Sequence, residues 1–143
     1  MASSDATLRY LDGLFGEGAG ARHTAFLERL ESPTLREELH RYHAIEADST
    51  QLTPAENYLL GACVLYATGR SATAGMFVKT LLHLGVPKAK ILEALARLSM
   101  WVGGVAAAEA SQQAQRAIAE WEQRGLASME AWFPPTDGER ARR

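Results

Sequence analysis

Ten consecutive residues, YLLGACVLYA at positions 58–67, are apolar on every side of any helix drawn through them. A helix of that kind belongs in the centre of a domain or of an oligomer, because no face of it suits water. The residues just before it favour a helix start. Thr53 can cap, Pro54 takes the first helical position, and Glu56 at the third position can reach back to the cap. Gly69 supplies the expected left-handed terminator. The fold then depends on what packs around this helix.

The stretch from Leu52 to Ile118 supplies those partners as apolar segments, broken at Gly69-Arg70-Ser71 and at Gly85-Val86-Pro87. The spacing predicts a helix over 71–84, with Arg70, Thr73, Phe77, Leu81 and Leu84 sharing one face. Gly85 ends it and Pro87 restarts the chain as a first helical residue. In the next helix Ile91, Leu95, Leu98 and Val102 form the buried stripe, and Lys88, Lys90, Glu93 and Arg97 face outward. Gly103-Gly104 loosens the backbone before a long helix that reaches about Arg124. Its seam is Ala107, Ala110, Ala114, Ile118 and Trp121, whose small members permit close helix approach. Leu126, Met129, Trp132 and Phe133 then form an amphipathic appendage, stopped by Pro134-Pro135. Residues 134–143 read as a disordered tail.

The N-terminal third is more polar. Leu8, Leu11 and Phe15 recur at helical spacing over 5–15, with Asp5 as cap. Gly16-x-Gly18-x-Gly20 has the look of a phosphate loop, but no strand precedes it and Glu17 would repel phosphate, so it reads as a flexible connector. A short helix follows over His23–Leu30. Ser32-Pro33 opens another, whose buried face is expected to be Leu35, Leu39, Tyr42 and Ile45. His40 and His43, three apart with Glu37 and Glu46 nearby, have a spacing that a metal site can use. A solvated or partly buried helix face is the preferred account of them, and no metal is expected.

No segment alternates as a strand does, so the fold class is all-α, with about six or seven helices. A single domain over 1–133 is expected, large enough to bury a core without staples. The net charge of −2 offers no field for a polyanion and argues against nucleic acid. The one cysteine, Cys63, excludes an internal disulfide, a CxxC redox pair and a thiolate metal site. No apolar run approaches the ~18 residues of a membrane span, and the N-terminus lacks a signal-like run, so a cytoplasmic location and no membrane partner are expected.

From Pro33 to Ile118 the order of elements resembles the carboxymuconolactone decarboxylase and alkylhydroperoxidase D-like superfamily. The residues that carry the resemblance are Leu52-Thr53-Pro54 opening a buried helix, a helix ending in Leu84-Gly85-Val86, and KILEALARLSMWVGG before an Ala-rich helix. The resemblance implies an all-α core at about 33–118 and a homo-oligomer, trimer or hexamer. Peroxidase-type members of that superfamily carry CxxC followed by His. The corresponding positions here are Arg70, Thr73 and Phe77, none of which has a sulfur for peroxide chemistry. Decarboxylase-type members keep the histidine, and here Phe77 replaces it. A glutamate usual in the helix after Leu-Thr-Pro corresponds to Tyr58. Glu56 lies two residues earlier and is expected to serve the cap.

These replacements suggest a pocket without thiol, metal or cofactor chemistry. Phe77, Tyr58, Tyr66 and Trp101 are expected to line it, with Arg70 and Thr73 at its mouth. Tyr58 would polarise a carbonyl or donate a proton, and Arg70 would hold a carboxylate or enolate. Such walls suit a flat, anionic or polyketide-like small molecule. Two function classes follow: a non-redox decarboxylase, isomerase or cyclase, or a catalytically silent ligand-binding or assembly subunit. A peroxidase relying on Cys63 ranks last. His83 is read as a surface or subunit-contact residue.

Overall fold

The structure is a computed structural model that describes residues 4–135 and 137–142. Among them the regular secondary structure is entirely helical. In chain order the helices are α1 (Ser4–Phe15), α2 (Ala19–Glu28), α3 (Pro33–Ala47), α4 (Pro54–Ala67), α5 (Ser71–His83), α6 (Lys88–Arg97), α7 (Ser99–Val102), α8 (Gly104–Arg124) and α9 (Asp137–Arg140). A 3-10 segment, Gly125–Met129, follows α8. The helices fall into two compact units, Leu52–Ser128 and a second formed by Met1–Gln51 with Met129–Arg143. The more polar N-terminal third ends near that division, at Gln51/Leu52, although the sequence reads as one domain.

In the unit Leu52–Ser128, α4 packs on α5, α5 on α8, and α8 also takes α6 and α7. Local chemistry sets the helix ends. Thr53 Oγ1 accepts from the Glu56 amide at 3.2 Å, and the Glu56 carboxylate accepts from the Thr53 amide at 2.8 Å. Those bonds hold the Glu56 carboxyl below its ordinary pKa. Gly69 and Gly85 end α4 and α5 with positive φ of 76° and 80°. After each, the next amide bonds back across the turn, Arg70 N to Leu65 O at 2.8 Å and Val86 N to Leu81 O at 2.9 Å. The helix start after the second break sits one residue later than expected, with Pro87 as the cap of α6.

The expected seam of α8 forms through Ala107, Ala110, Ala114 and Ile118, all buried. α6 buries Ile91 and Leu95. The all-round apolar helix α4 is buried on one face only. Tyr58, Ala62 and Tyr66 are covered, whereas Leu60 and Val64 remain exposed.

In the other unit α1 packs on α2 and α3. The glycine-rich connector is shorter than its composition suggests, because α2 begins at Ala19. Gly20 lies inside that helix, and a β-carbon there would come within 2.7 Å of the Leu8 carbonyl. Its amide donates to Asp12 Oδ1 at 2.8 Å, so a side chain of α1 occupies the amide that a phosphate would need. The stretch read as a tail contains the helical turn α9, where Glu139 pairs with Arg22 at 2.9 Å.

Helix α3 departs from its expected orientation. Leu35, Tyr42 and Ile45 are exposed, and the buried residues are His43, Ala44 and Glu46. The polar residues are the ones that find partners inside: His43 Nδ1 lies 3.1 Å from Glu46 Oε2. A satisfied polar pair removes most of the penalty that would otherwise keep such residues outside.

Candidate functional site

The aromatic residues expected to surround one pocket are separated by the structure. Tyr58 is 1% exposed and stacks on Phe77 at 4.5 Å with 28° between the ring planes. Phe77 in turn lies on Gly61, where a β-carbon would come within 2.5 Å of its ring. These contacts stack Tyr58 and Phe77 between α4 and α5, with Tyr58 buried and Phe77 half-buried, and neither borders the cavity described below. Trp101 is 82% exposed on the single turn α7, away from any enclosed wall. Thr73 is half-buried in the first turn of α5. Arg70 is exposed at the N-cap of α5 and contributes no side-chain bond to that cap.

Tyr66 is the expected site residue that does line a cavity. The cavity has a volume of about 430 Å³ and is bordered by Tyr66, Gly69 and Ser71 on one side and by Ala106, Glu109, Gln112 and Gln113 of α8 on the other. The positions follow from the helices. Tyr66 occupies the last turn of α4, and Gly69 turns the chain so that Ser71 opens α5 beside it. On α8, Ala106, Glu109, Ala110 and Gln113 recur every three or four residues and therefore share one face. The alanines keep that face low while the carboxylate and amides project from it.

The electrostatics of this cleft differ from those expected. Among the described residues that border it Glu109 is the one that is charged, so the cavity wall is acidic rather than cationic. Tyr66 is 7% exposed, and its hydroxyl is buried without a hydrogen-bond partner. Burial pushes its phenol up to about 12, so it remains a neutral donor throughout the physiological range. An unsatisfied buried hydroxyl in a native fold is uncommon, and an ordered water or a ligand can supply the partner. Glu109, Gln112 and Gln113 escaped the sequence reading because polar residues on a long helix look solvated. Their shared face with Ala106 and Ala110 was the available signal.

Two other polar constellations are buried. Lys79, on α5, is 6% exposed, and its Nζ donates to Glu120 Oε2 at 2.6 Å and to the Ser128 carbonyl at 3.0 Å. That bond and charge hold the Glu120 carboxyl below its ordinary pKa. In the other unit, His23 sits edge-on to His43 at 4.7 Å and to Phe133 at 5.7 Å. Burial, with His43 and His40 nearby, lowers the His23 pKa from 6.5 to about 4. Among the described residues no group of three or more His, Cys, Asp or Glu side chains is arranged to hold a metal ion. Cys63 is half-buried, and burial raises its thiol pKa, which disfavours the nucleophilic thiolate. No helix among the described residues is long and apolar enough to cross a membrane.

The chain matches no protein family, no curated protein and no solved structure. The functional reading therefore rests on the chemistry of the cleft.

Proposed function

We propose that this chain is a non-redox, small-molecule-binding protein of the carboxymuconolactone decarboxylase-like type, and that its ligand occupies the Tyr66–Glu109 cleft. One observation carries the proposal: a buried tyrosine hydroxyl without a partner, on a residue that borders a cavity of about 430 Å³. That volume lies within the range of small-molecule sites. The rest of the border is polar and mostly uncharged, which suits a ligand held by hydrogen bonds. Backbone NMR titration with a library of small polar molecules tests this. Binders should perturb the amides of residues 66–71 and 106–113, and Tyr66→Phe should weaken them by about tenfold. Perturbations confined to other surfaces, or indifferent to Tyr66→Phe, would sink the reading.

Catalysis in the same cleft is the second reading, favoured by a tyrosine and a glutamate that border one cavity. In a decarboxylase, isomerase or cyclase, Tyr66 rather than Tyr58 would polarise a substrate carbonyl, and Glu109 would exchange the proton. Turnover of a β-keto acid or an unsaturated lactone that disappears in Glu109→Gln, with the fold intact, distinguishes an enzyme from a silent binder.

We also propose that the chain forms a homo-oligomer, a trimer or hexamer. The support is the exposure of five large apolar side chains, Leu60, Val64, Met100, Trp101 and Val105, in one unit. Sedimentation of the wild type and of a Leu60→Glu/Trp101→Glu variant checks it. The wild type should exceed one chain in mass and the variant should fall to one.

A further inference from the structure

Phe133 packs against a buried imidazole, and we propose that the segment Met129–Phe133 is an acid-released strap whose latch is His23. Every group in the argument belongs to the unit formed by Met1–Gln51 with Met129–Arg143. His23, on α2, is 3% exposed. Its ring lies edge-on to His43 of α3 at 4.7 Å and to Phe133 at 5.7 Å. Phe133 is itself buried and sits tilted against Phe15 of α1 at 4.8 Å. Met129, at the other end of the segment, is buried as well.

A neutral imidazole suits this seat and an imidazolium does not. The strap presents Phe133, which offers a charged ring no hydrogen-bond acceptor. The titratable neighbours come from α3. Glu46 supplies a carboxylate, which lies 3.1 Å from His43 Nδ1. Burial, with repulsion from His43 and His40, lowers the His23 pKa from 6.5 to about 4. Tyr42, beside His43 at 5.0 Å, stays neutral, because burial and Glu46 raise its phenol pKa. A proton on His23 must therefore be hydrated, and a cover must move to let water in. Helices α1, α2 and α3 pack on one another. The strap has no helix from Glu130 to Pro135, and a bond from Trp132 N to Met129 O at 3.1 Å closes its turn. Short irregular segments open at lower free energy than packed helices. Beyond it, the Glu139–Arg22 pair at 2.9 Å tethers the chain to α2. The docked strap keeps His23 neutral, and the released strap lets it take a proton at about 6.5. Docking is complete above pH 6.5 and weakens as pH falls towards 4, by up to about tenfold per pH unit.

Two NMR measurements on the full chain test the strap. The His23 Cε1 resonance should titrate near 4 in the wild type, and Phe133→Ala should move that titration towards 6.5. Hydrogen exchange of the Trp132 amide, corrected for its intrinsic rate, should give an opening constant that rises by about tenfold per unit from pH 6.5 to pH 4.5. That opening should depend on urea far less than global unfolding does. His23→Gln should remove the pH slope. Glu139→Gln should raise the opening at both pH values and leave the slope unchanged. An unmoved His23 titration in Phe133→Ala would show that Phe133 is not the cover, and a slope that survives in His23→Gln would place the proton elsewhere. Either result overturns the strap. A urea dependence equal to that of global unfolding in the wild type also overturns it, because the whole unit then opens rather than the segment.

Discussion

Phe77 rests on Gly61 so closely that a β-carbon on the glycine would come within 2.5 Å of the ring. The contact lets α4 and α5 approach and keeps Phe77 stacked on Tyr58. Gly61→Ala must push the ring away, and the stack with it. We expect a loss of about 1–3 kcal/mol, as for other overpacked cores. Gly75 is the control on the facing helix, because a β-carbon there meets Ala117 at an ordinary 3.6 Å. Gly75→Ala should be neutral or gain about 0.5–1 kcal/mol through helix propensity. Urea denaturation of the two variants gives the comparison, and similar losses in both would contradict the packing argument.

Lys79 is buried and satisfied by Glu120 and by the Ser128 carbonyl. Removing Glu120 leaves a buried ammonium with one neutral acceptor. The Glu120 side chain is half in solvent, so its attraction for Lys79 is screened. Glu120→Ala should therefore cost about 1–2 kcal/mol, less than a fully buried pair. Lys79→Met replaces the charge by an apolar chain of similar length and should cost less than Glu120→Ala. Thermal melts of the two single variants rank them. A larger loss for Lys79→Met would show that the charge itself stabilises the fold.

The buried His23 predicts a pH dependence. Its folded pKa of about 4 lies below the unfolded 6.5, so the unfolded chain takes up the proton first. The stability associated with neutral His23 is complete above pH 6.5 and is lost as pH falls towards 4. The two values differ by enough to weaken the fold by on the order of 3 kcal/mol across that window. His43 and His40 face His23 and share in its repulsion. Urea midpoints at pH 7 and pH 4.5 should differ in the wild type, and His23→Gln should flatten the difference. An equal slope in the variant would assign the effect to other groups.

Helix ends were legible in the sequence, and helix faces were less so. The Thr53–Glu56 box, the Gly69 and Gly85 terminators and the break at Gly103 each depend on a few neighbouring residues, and each appears as expected. Which face turns inward depends on partners far away in sequence. In α3 the apolar repeat Leu35, Tyr42, Ile45 suggested one side, yet His43 and Glu46 satisfy each other inside and leave that repeat exposed. In the same way aromatic character drew Tyr58, Phe77 and Trp101 into one imagined pocket. Stacking consumes the first two, and the third faces solvent. Of that set only Tyr66 borders the cavity, and its polar companions come from α8, some forty residues away.

Tyr66 gives the most direct test, because ligand binding and stability should respond in opposite directions. In the unliganded chain its hydroxyl is buried without a partner and costs free energy. Tyr66→Phe removes that atom and keeps the ring that packs in α4. We expect the unliganded variant to be more stable than the wild type by about 1 kcal/mol. The same change should weaken any cleft ligand by about tenfold, because the ligand loses the donor that it satisfies. Denaturation without ligand and NMR titration with it measure the two effects on one variant. A variant that is less stable would mean that the hydroxyl already has a partner, and the cleft would lose its strongest claim to a ligand.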